Sequence, residues 1–330
     1  MFLKFQPFFL IAETPIHPGS GVSLSIVDLP IQRERHTGWP KIEASGLKGC
    51  IREGFENSRN KKIKIKEKEV EINSANISLV FGPESEGDER SHAGAIAFVD
   101  ARVLLFPVKS LKGIFTWITC PQVLERFKKD MEIIGLKLPE FFKEIRERTI
   151  ASDSIIIKNN QIVLEEFSFD VEKNENTNKI AEWLSEEVFP KEDEDDGYWY
   201  WREKLKNDLV ILKDDEFGDF VTNSTEVITR TKISNKTGTV EEGPWTEEYL
   251  PQDTILYSIA MASGIRIENE KKDCFSGVSD AEEEAELVLE YFRNGIGKII
   301  QIGGNQTIGK GLTRIQVFGG VSDGTSKTDR

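Results

Sequence analysis

The chain has 330 residues, of which 38% are hydrophobic and 30% charged, with a formal net charge of −14. This length suits one elaborated domain or two ordinary ones. No apolar run of about eighteen residues occurs, so the sequence predicts no membrane-spanning helix and no membrane partner. Cys50, Cys120 and Cys274 are odd in number and widely spaced, which excludes a disulfide framework and a zinc ribbon and favours the reducing cytoplasm.

The acidic residues are unevenly distributed. A net charge of −14 argues against a nucleic-acid binder if it is taken as a whole. Residues 182–196 carry eight carboxylates and one lysine, which is typical of a solvated face. Residues 229–239 and 293–314, in contrast, contain lysines and arginines and no acid. Phosphate binding depends on the local field, so these two stretches remain candidates for contact with phosphate groups.

The first twelve residues are followed by a long loop. Residues 2–12 are apolar, and they lack the basic front end and the cleavage site of a signal peptide. They therefore predict a buried strand. Prolines and glycines interrupt residues 13–49, so this segment predicts an ordered functional loop. Its candidate site residues are His17, Asp28, Arg33, Arg35, His36, Ser45 and Lys48.

The next segments predict alternating elements. The pattern predicts a helix over 45–58 with Ser45 as N-cap, an exposed strand or hairpin arm over 60–72, a polar loop over 81–94, a strand over 95–107 and an amphipathic helix over 121–136.

Two of these segments contain a weak internal repeat. Ser45–Gly49 (S-G-L-K-G) is repeated by Lys109–Gly113 (K-S-L-K-G), and each copy is expected to open a helix. Two strand–helix units of this kind favour a ferredoxin-like core.

The middle of the chain predicts an insertion and a hairpin. The amino-acid composition changes over residues 140–220, which favours an insertion. Within this range, Asn159-Asn160 indicates a turn between two short strands. Residues 225–240 predict two strands around a turn that carries Lys236. The remaining expected elements are a strand over 254–262, a helix over 279–294, a strand over 312–318 and a frayed tail over 320–330.

Residues 303–311 form a glycine-rich loop with a lysine. The loop nearly matches the nucleotide-binding pattern G-x-x-x-x-G-K-[ST], but Gly311 replaces the hydroxyl residue, and a strand rather than a helix follows. An ATPase is therefore disfavoured, and a tight turn or a backbone cradle for a nucleic-acid phosphate remains. The RNA-binding candidates here are Gly303, Gly304, Asn305, Gln306 and Lys310.

Three groups of residues are candidates for chemistry. Asp28 is either a turn residue or a carboxylate that faces a scissile phosphate, where it would hold a divalent ion or help to deprotonate a 2′-OH. His17 and His36 would suit a general acid–base pair, and His17, followed by Pro-Gly, is the better candidate. The third group is Glu247, Glu248 and Tyr249, and the sequence leaves open which carboxylate matters.

Four motifs together resemble one family. They are T-P-x-H-P-G-S-G at 14–21, V-D-x-P-I-Q-R-E-R-H-T-G-x-P at 27–40, S-x-L-K-G at 45–49 and W-x-E-E-x-L-P at 245–251. They are similar to those of the RAMP-superfamily backbone subunits, and target-RNA nucleases, of the Cmr (type III-B) CRISPR effector complex. The glycine-rich loop also resembles the RAMP loop that lies against CRISPR RNA.

The resemblance implies an architecture. The expected fold is α+β, with a ferredoxin-like or RRM-like RAMP palm, a helical insertion and a β-hairpin thumb. The whole chain, 1–330, would then be one elaborated domain, with the palm at 1–136 and 254–318, the insertion at 140–220 and the thumb at 225–250.

The resemblance also implies a function. Asp28 would be the essential carboxylate for RNA cleavage, with Mg²⁺ or Mn²⁺ as its divalent cation, and the product would carry a 2′,3′-cyclic phosphate. The implied partners are guide RNA, single-stranded target RNA, further copies of the chain in a filament and other Cmr subunits. Two alternatives remain open: a non-catalytic RNA-binding scaffold, and an endoribonuclease that processes CRISPR transcripts.

Overall fold

A computed structural model describes residues 1–22, 26–83, 92–151, 154, 156–191, 197–268, 272–278 and 280–319. The helices in this part are Ala44–Glu56 (α1), Ser74–Phe81 (α2), Pro121–Ile133 (α3), Glu175–Val188 (α4), Trp199–Asp208 (α5), Asp214–Asn223 (α6) and Ala281–Gly295 (α7). The expected tail at 320–330 and most of the expected polar loop at 81–94 lie outside the described residues.

Five of the strands in the same part have eight or more residues. The strands are Lys4–Ala12 (β1), Lys41–Ile42 (β2), Lys62–Ile65 (β3), Lys68–Glu71 (β4), Ile96–Phe98 (β5), Ala101–Lys109 (β6), Phe115–Thr119 (β7), Thr149–Ile150 (β8), Gln161–Leu164 (β9), Phe167–Asp170 (β10), Glu172–Lys173 (β11), Val210–Ile211 (β12), Glu226–Ile233 (β13), Val240–Tyr249 (β14), Ile255–Ala262 (β15), Ile299–Gln301 (β16) and Leu312–Val317 (β17).

The chain divides into two compact units. The first contains Met1–Val103 and Val221–Ile315, and the second contains Leu104–Phe220 and Gln316–Arg330. The expected single domain, with its palm, insertion and thumb boundaries, stays a prediction. No helix among the described residues is long and apolar enough to cross a membrane.

Antiparallel strands form the core of the first unit. Strand β1 pairs with β15 from Lys4↔Ala262 to Ile11↔Ile255, β5 pairs with the other edge of β15, and β17 joins β1 to β16. Strand β1 is an almost continuous apolar run, and its last seven residues are buried. The strands expected at 2–12, 254–262 and 312–318 are confirmed, and the mixed topology confirms the α+β class.

Helices α1 and α7 pack in the first unit through aromatic contacts. The Phe55 ring of α1 stacks on Tyr291 of α7 with 5.2 Å between the ring centroids. A Cβ at Gly295 would lie 2.3 Å from the Phe55 ring, so only glycine permits this approach of α7. Helix α2 was not predicted from the sequence, although Asn73 caps it by accepting a hydrogen bond from the Asn76 amide.

The expected N-cap of α1 is wrong. Glu43 occupies the N-cap position without a side-chain cap, and Ser45 lies inside the helix. Asp100 replaces the local cap, because its Oδ1 accepts a hydrogen bond from the Ala44 amide at 2.9 Å. A carboxylate 56 positions away thus satisfies a donor that sequence reasoning assigned to a neighbouring hydroxyl.

The expectation that Lys109–Gly113 opens a helix, as Ser45–Gly49 does, is also wrong. Residues 109–113 form a tight turn between β6 and β7, in which the Ser110 amide donates to the Ile114 carbonyl at 2.9 Å. Gly113 and Ile114 have φ of 72°. The following residues, F-T-W-I-T, are aromatic and β-branched and therefore favour a strand rather than the expected helix.

The second unit has its own sheet and helices. Its strand order is β11-β8-β12-β7-β6, with β12 parallel to β7 and antiparallel to β8. Helices α4, α5 and α6 lie within or overlap the expected helical insertion. The turn at Asn159-Asn160 is confirmed by the positive φ of both residues and by a bridge between Lys158 and Gln161. The strand that follows the turn, β9, pairs with the next strand, β10.

A long hairpin forms the expected thumb. Strands β13 and β14 pair from Glu226↔Tyr249 to Ile233↔Val240, with register irregularities near Lys232. The first five residues of β14 are exposed and its last three are buried. The hairpin therefore projects at its tip and is anchored at its base.

Candidate functional site

The buried end of β14 organises the long loop. Ile16 forms an antiparallel bridge with Leu250, and Leu29 forms a parallel bridge with Glu247. The Leu29 amide donates to the Thr246 carbonyl and the Glu248 amide donates to the Leu29 carbonyl, each at 3.0 Å. The loop segments that carry His17 and Asp28 are thus fixed to one short stretch of backbone.

Asp28 is an exposed carboxylate with one oriented oxygen. Its Oδ2 accepts hydrogen bonds from the Thr246 amide at 2.8 Å and the Thr246 hydroxyl at 2.9 Å. These bonds, the amide first, hold the pKa of the Asp28 carboxyl below its ordinary value. The Oδ1 atom has no hydrogen bond from another described residue, so it is available to a ligand.

His17 has a defined tautomer. Its Nδ1 lies 2.6 Å from the Glu248 carbonyl oxygen. A carbonyl only accepts, so Nδ1 carries the proton and donates it. In the neutral ring Nε2 therefore has the lone pair, which makes Nε2 the atom that can take up a proton.

Glycines surround His17 closely. A Cβ at Gly19 would lie 2.9 Å from His17 Nε2, and a Cβ at Gly304 would lie 3.3 Å from His17 Cδ2. Gly303 has φ of +81°, and its Cβ would lie 2.3 Å from the His17 carbonyl oxygen. The Gly304 amide donates to that same oxygen at 3.0 Å. The glycine-rich loop thus packs against the histidine, which supplies a steric reason for its glycines.

Glu247 lies at the centre of a buried polar cluster. It is 5% exposed, and it accepts hydrogen bonds from the Tyr249 hydroxyl, from Trp245 Nε1 at 2.9 Å and from Asn305 Nδ2 at 2.8 Å. Arg230 Nε lies 2.7 Å from Glu247 Oε2. Burial opposes ionisation, but these partners outweigh it and hold the pKa of Glu247 below its ordinary value.

Tyr249 belongs to the same cluster. Its hydroxyl accepts hydrogen bonds from Arg230 Nη2 at 2.7 Å and Asn305 Nδ2 at 2.8 Å. Burial, followed by the neighbouring Glu247 carboxylate, raises the pKa of the Tyr249 hydroxyl. Lys310 Nζ lies 5.0 Å from the Tyr249 ring centroid. The cluster joins both hairpin strands to the glycine-rich loop.

Glu248 is tied to the long loop instead. Its carboxylate accepts hydrogen bonds from Arg33 Nη2 at 2.5 Å, from the Thr225 hydroxyl at 2.7 Å and from the Ile31 amide at 3.0 Å. Arg33 also donates to the Gly38 and Val221 carbonyls. Arg33 and Glu248 therefore hold the site together, and the expected contact of Arg33 with RNA stays a prediction.

The other expected RNA-binding residues lie at different places in the first unit. Ser45 is exposed in the first turn of α1, and Lys48 is half-buried one turn further along. Burial lowers the pKa of Lys48. Arg35 and Gln306 are exposed, and Lys236 lies in the turn at the tip of the hairpin.

His36 is separate from the hydrogen-bonded groups around His17. Its side chain is 73% exposed, and its Nε2 lies 3.9 Å from Glu34 Oε2. The contacts of His17 are with Glu248, Tyr249 and the glycines. The two imidazole rings make no contact with each other, and the expected acid–base pair of His17 and His36 stays a prediction.

Two contributors were missed by sequence reasoning. Thr246 holds Asp28, and Arg230 contacts both Glu247 and Tyr249. Thr246 lies inside the W-x-E-E-x-L-P motif, at a position written as variable, so the motif was the signal that could have drawn attention to it. Arg230 faces Trp245 across the hairpin, a pairing that requires knowledge of the register.

Asp28 could bind a divalent cation only together with a ligand that supplies further oxygen atoms. Among the described residues, no three His, Cys, Asp or Glu side chains gather as a metal-binding group. Mg²⁺, however, commonly takes one or two carboxylates together with phosphate oxygens and waters. The available Oδ1 of Asp28 therefore fits a cation shared with an RNA phosphate, and the described residues do not form a site that would hold one without it.

Comparisons with known proteins agree over almost the full length. The RAMP superfamily model matches residues 9–314. The CRISPR system Cmr endoribonuclease Cmr4 of Pyrococcus furiosus is 38% identical over 312 residues, which cover 93% of each chain. A crystal structure of oligomeric Cmr4 from Pyrococcus furiosus has a TM-score of 0.65 and 30% identity, covering 96% of this chain and 98% of that one. A cryo-EM structure of the Type III-B Cmr-beta bound to cognate target RNA has a TM-score of 0.66 at 22% identity, with 96% and 98% covered, which supports the fold alone.

Proposed function

This chain belongs to the RAMP superfamily, and we propose that it is the repeated backbone subunit and endoribonuclease of a cytoplasmic type III-B CRISPR ribonucleoprotein. It binds guide RNA, assembles with copies of itself and with other Cmr subunits, and cleaves single-stranded target RNA that pairs with the guide. The Pyrococcus furiosus relative is an endoribonuclease of the Cmr system, and its crystal structure is that of an oligomer; both support the proposal.

The observation that carries the nuclease proposal is the state of Asp28. Glu247 and Glu248 are each 5% exposed, and partners from the protein surround both carboxylates. Asp28 is exposed, has a lowered pKa and keeps Oδ1 available. It is therefore the carboxylate of the three best able to meet a phosphodiester.

The proposed reaction is attack by the 2′-OH on the adjacent phosphate. Asp28 Oδ1 helps to remove the 2′-OH proton while the 2′ oxygen forms its bond to phosphorus. The bond from phosphorus to the 5′ oxygen breaks, and the His17 imidazolium gives that oxygen the proton on Nε2. The products are a 2′,3′-cyclic phosphate and a free 5′-OH. In its alternative role Asp28 would hold Mg²⁺ or Mn²⁺, and the cation would supply positive charge against the charge that develops on the phosphate.

The guide RNA is proposed to lie along the first unit. Ser45, Lys48, Arg35 and Lys310 offer donors and positive charge to phosphates. Lys236 at the hairpin tip contacts the paired strands. Recognition of sequence then comes from base pairing with the guide, while the protein reads backbone shape.

A non-catalytic scaffold is the second candidate. It is favoured by the ion pairs of Glu247 and Glu248, which stabilise the protein rather than face a substrate. A CRISPR transcript nuclease is the third, but the contacts of the described residues do not favour it specifically.

One assay separates the three functions. End-labelled target RNA is incubated with the protein with and without guide RNA, and with Mg²⁺, with Mn²⁺ or with EDTA. Cleavage that requires both guide and cation supports the proposal. Cleavage of unpaired transcript without guide supports the processing enzyme, and binding without cleavage supports the scaffold.

A further inference from the structure

We propose that Thr246 is the positioning residue for Asp28, fixing which oxygen of the carboxylate faces the substrate. This inference rests on the proposed ribonuclease function. Thr246 lies inside W-x-E-E-x-L-P, but at a variable position, so the motif assigns it no role. The contacts of its hydroxyl and backbone carry the proposal.

Thr246 and Asp28 exchange three hydrogen bonds. The Asp28 amide donates to the Thr246 hydroxyl oxygen at 3.0 Å, and that hydroxyl donates to Asp28 Oδ2 at 2.9 Å. The Thr246 amide donates to the same Oδ2 at 2.8 Å. Because the hydroxyl oxygen accepts from the Asp28 amide, its single proton is directed to the carboxylate.

Two further contacts fix the backbone beneath these groups. The Leu29 amide donates to the Thr246 carbonyl, and Leu29 bridges Glu247 in parallel register. Thr246 thus holds both the main chain and the carboxylate of Asp28. The result is that Oδ2 points at β14, while Oδ1 has no hydrogen bond from another described residue.

An exposed aspartate without such contacts would rotate freely and would lose side-chain entropy when it engaged a substrate. Thr246 removes that freedom before RNA binds, which is the general advantage of preorganised catalytic groups. The same bonds favour the ionised carboxylate, since the amide and then the hydroxyl of Thr246 lower the pKa of Asp28.

The test separates the hydroxyl from the rest of the side chain. Thr246→Val keeps the β-branched shape that suits a strand and removes only the hydroxyl. Thr246→Ser keeps the hydroxyl. Thr229→Val is the matched control, because Thr229 is the exposed cross-strand neighbour of Thr246 in the hairpin.

The measurements are single-turnover cleavage of guide-paired target RNA across a pH series, at saturating and subsaturating target, in the assembled ribonucleoprotein. We expect Thr246→Val to cleave about tenfold more slowly at saturation, as for the loss of one hydrogen bond to a charged group. Target affinity should be unchanged. The acid limb of the rate profile should move to higher pH, because the pKa of Asp28 rises when a hydrogen bond to its carboxylate is lost.

Rescue distinguishes positioning from a structural role. Thr246→Ser should recover most of the lost rate and the wild-type acid limb, and Thr229→Val should match the wild type. A Thr246→Val protein with wild-type rate and acid limb would overturn the inference. A slower Thr246→Val protein with an unmoved acid limb, not rescued by serine, would overturn it as well.

A second readout does not depend on cleavage. The Asp28 carboxyl of the isolated protein is titrated by ¹³C NMR, with assignment from Asp28→Asn. A higher pKa in Thr246→Val than in wild type or Thr246→Ser supports the hydrogen-bond control of Asp28, and an identical pKa overturns it. If the wild type cleaves no guide-paired RNA in any cation, the proposed function fails, whatever this titration gives.

Discussion

Arg33 and Glu248 are 215 positions apart in sequence, yet their side chains form an ion pair with 2.5 Å between Nη2 and Oε1. The Arg33 side chain is 22% exposed and that of Glu248 is 7% exposed. The Glu248 carbonyl also accepts the hydrogen bond from His17 Nδ1. This pair therefore joins the long loop to the hairpin base next to the candidate catalytic groups.

Breaking that pair should destabilise the protein. Arg33→Met removes the guanidinium and leaves the Glu248 carboxylate with weaker compensation, which should cost about 3 kcal/mol of unfolding free energy. Urea denaturation of the isolated protein measures it. Arg35→Met is the control, since Arg35 is exposed two positions away and should change stability little. Equal losses in the two variants would contradict the structural role of Arg33.

Asp28→Asn should abolish most cleavage. The change keeps the size of the side chain and removes its charge, so target cleavage should fall by roughly two to four orders of magnitude. Guide binding, target binding and assembly should persist, because the amide oxygen can still accept from Thr246. Denaturing electrophoresis of end-labelled target, beside a binding assay, measures both. His17→Ala should lose less, and near-normal cleavage by Asp28→Asn would return attention to Glu247 and Glu248.

Two glycines of the same loop provide a matched pair. Gly303 and Gly309 have φ of +81° and +77°, but a Cβ at Gly309 would meet nothing within 4 Å. Gly309→Ala should therefore lose only about 1 kcal/mol of unfolding free energy, from its left-handed backbone. Gly303→Ala should lose more, since its Cβ would lie 2.3 Å from the His17 carbonyl. It should also slow cleavage by displacing His17. Thermal unfolding and the cleavage assay test both, and indistinguishable variants would contradict the steric argument.

Guide binding should depend on Lys48. Lys48→Ala should weaken affinity for guide RNA and make the log–log salt slope shallower by about 0.7–0.9 units, the effect of one phosphate contact. Lys179→Ala, an exposed lysine on α4 of the second unit, is the control. Fluorescence anisotropy over a salt series measures the slope. An unchanged slope and affinity would remove Lys48 from the RNA path.

The lowered pKa of Glu247 has a consequence for acid stability. A carboxyl whose pKa is lower in the folded state stabilises the fold at pH above its ordinary pKa, which is 4.5 for glutamate. This stabilisation is lost as the pH falls through the folded-state pKa. Urea denaturation at several pH values should show wild type more stable than Glu247→Gln at pH 7. The difference should shrink only below about pH 4.5. A constant difference down to strongly acidic pH would contradict the role assigned to this ionisation.

Sequence reasoning located most palm strands because they are long and apolar, and it located the hairpin because turn residues separate two alternating runs. It failed where a distant group replaced a local one, as Asp100 does at the start of α1. It also failed at Lys109–Gly113, where likeness to Ser45–Gly49 in five residues suggested a helix that β-branched neighbours prevent.

Within the site, the sequence indicated which carboxylates belong to it, but it did not indicate which of them is exposed to a substrate. The motifs marked Asp28, Glu247 and Glu248 as carboxylates of interest without ranking their burial. The ranking follows from Arg33 and Arg230, which reach the glutamates from other segments of the chain. Such partnerships depend on tertiary packing, which no local pattern encodes.

Strand β14 is continuous from the exposed side of the hairpin tip to the buried Tyr249. Its residues Thr246 and Glu248 carry the bonds to Asp28 and His17. The groups that hold Asp28 and His17 are therefore two residues apart on one strand. A displacement of the base of the hairpin would move both side chains together, so their alignment depends on the placement of this one strand.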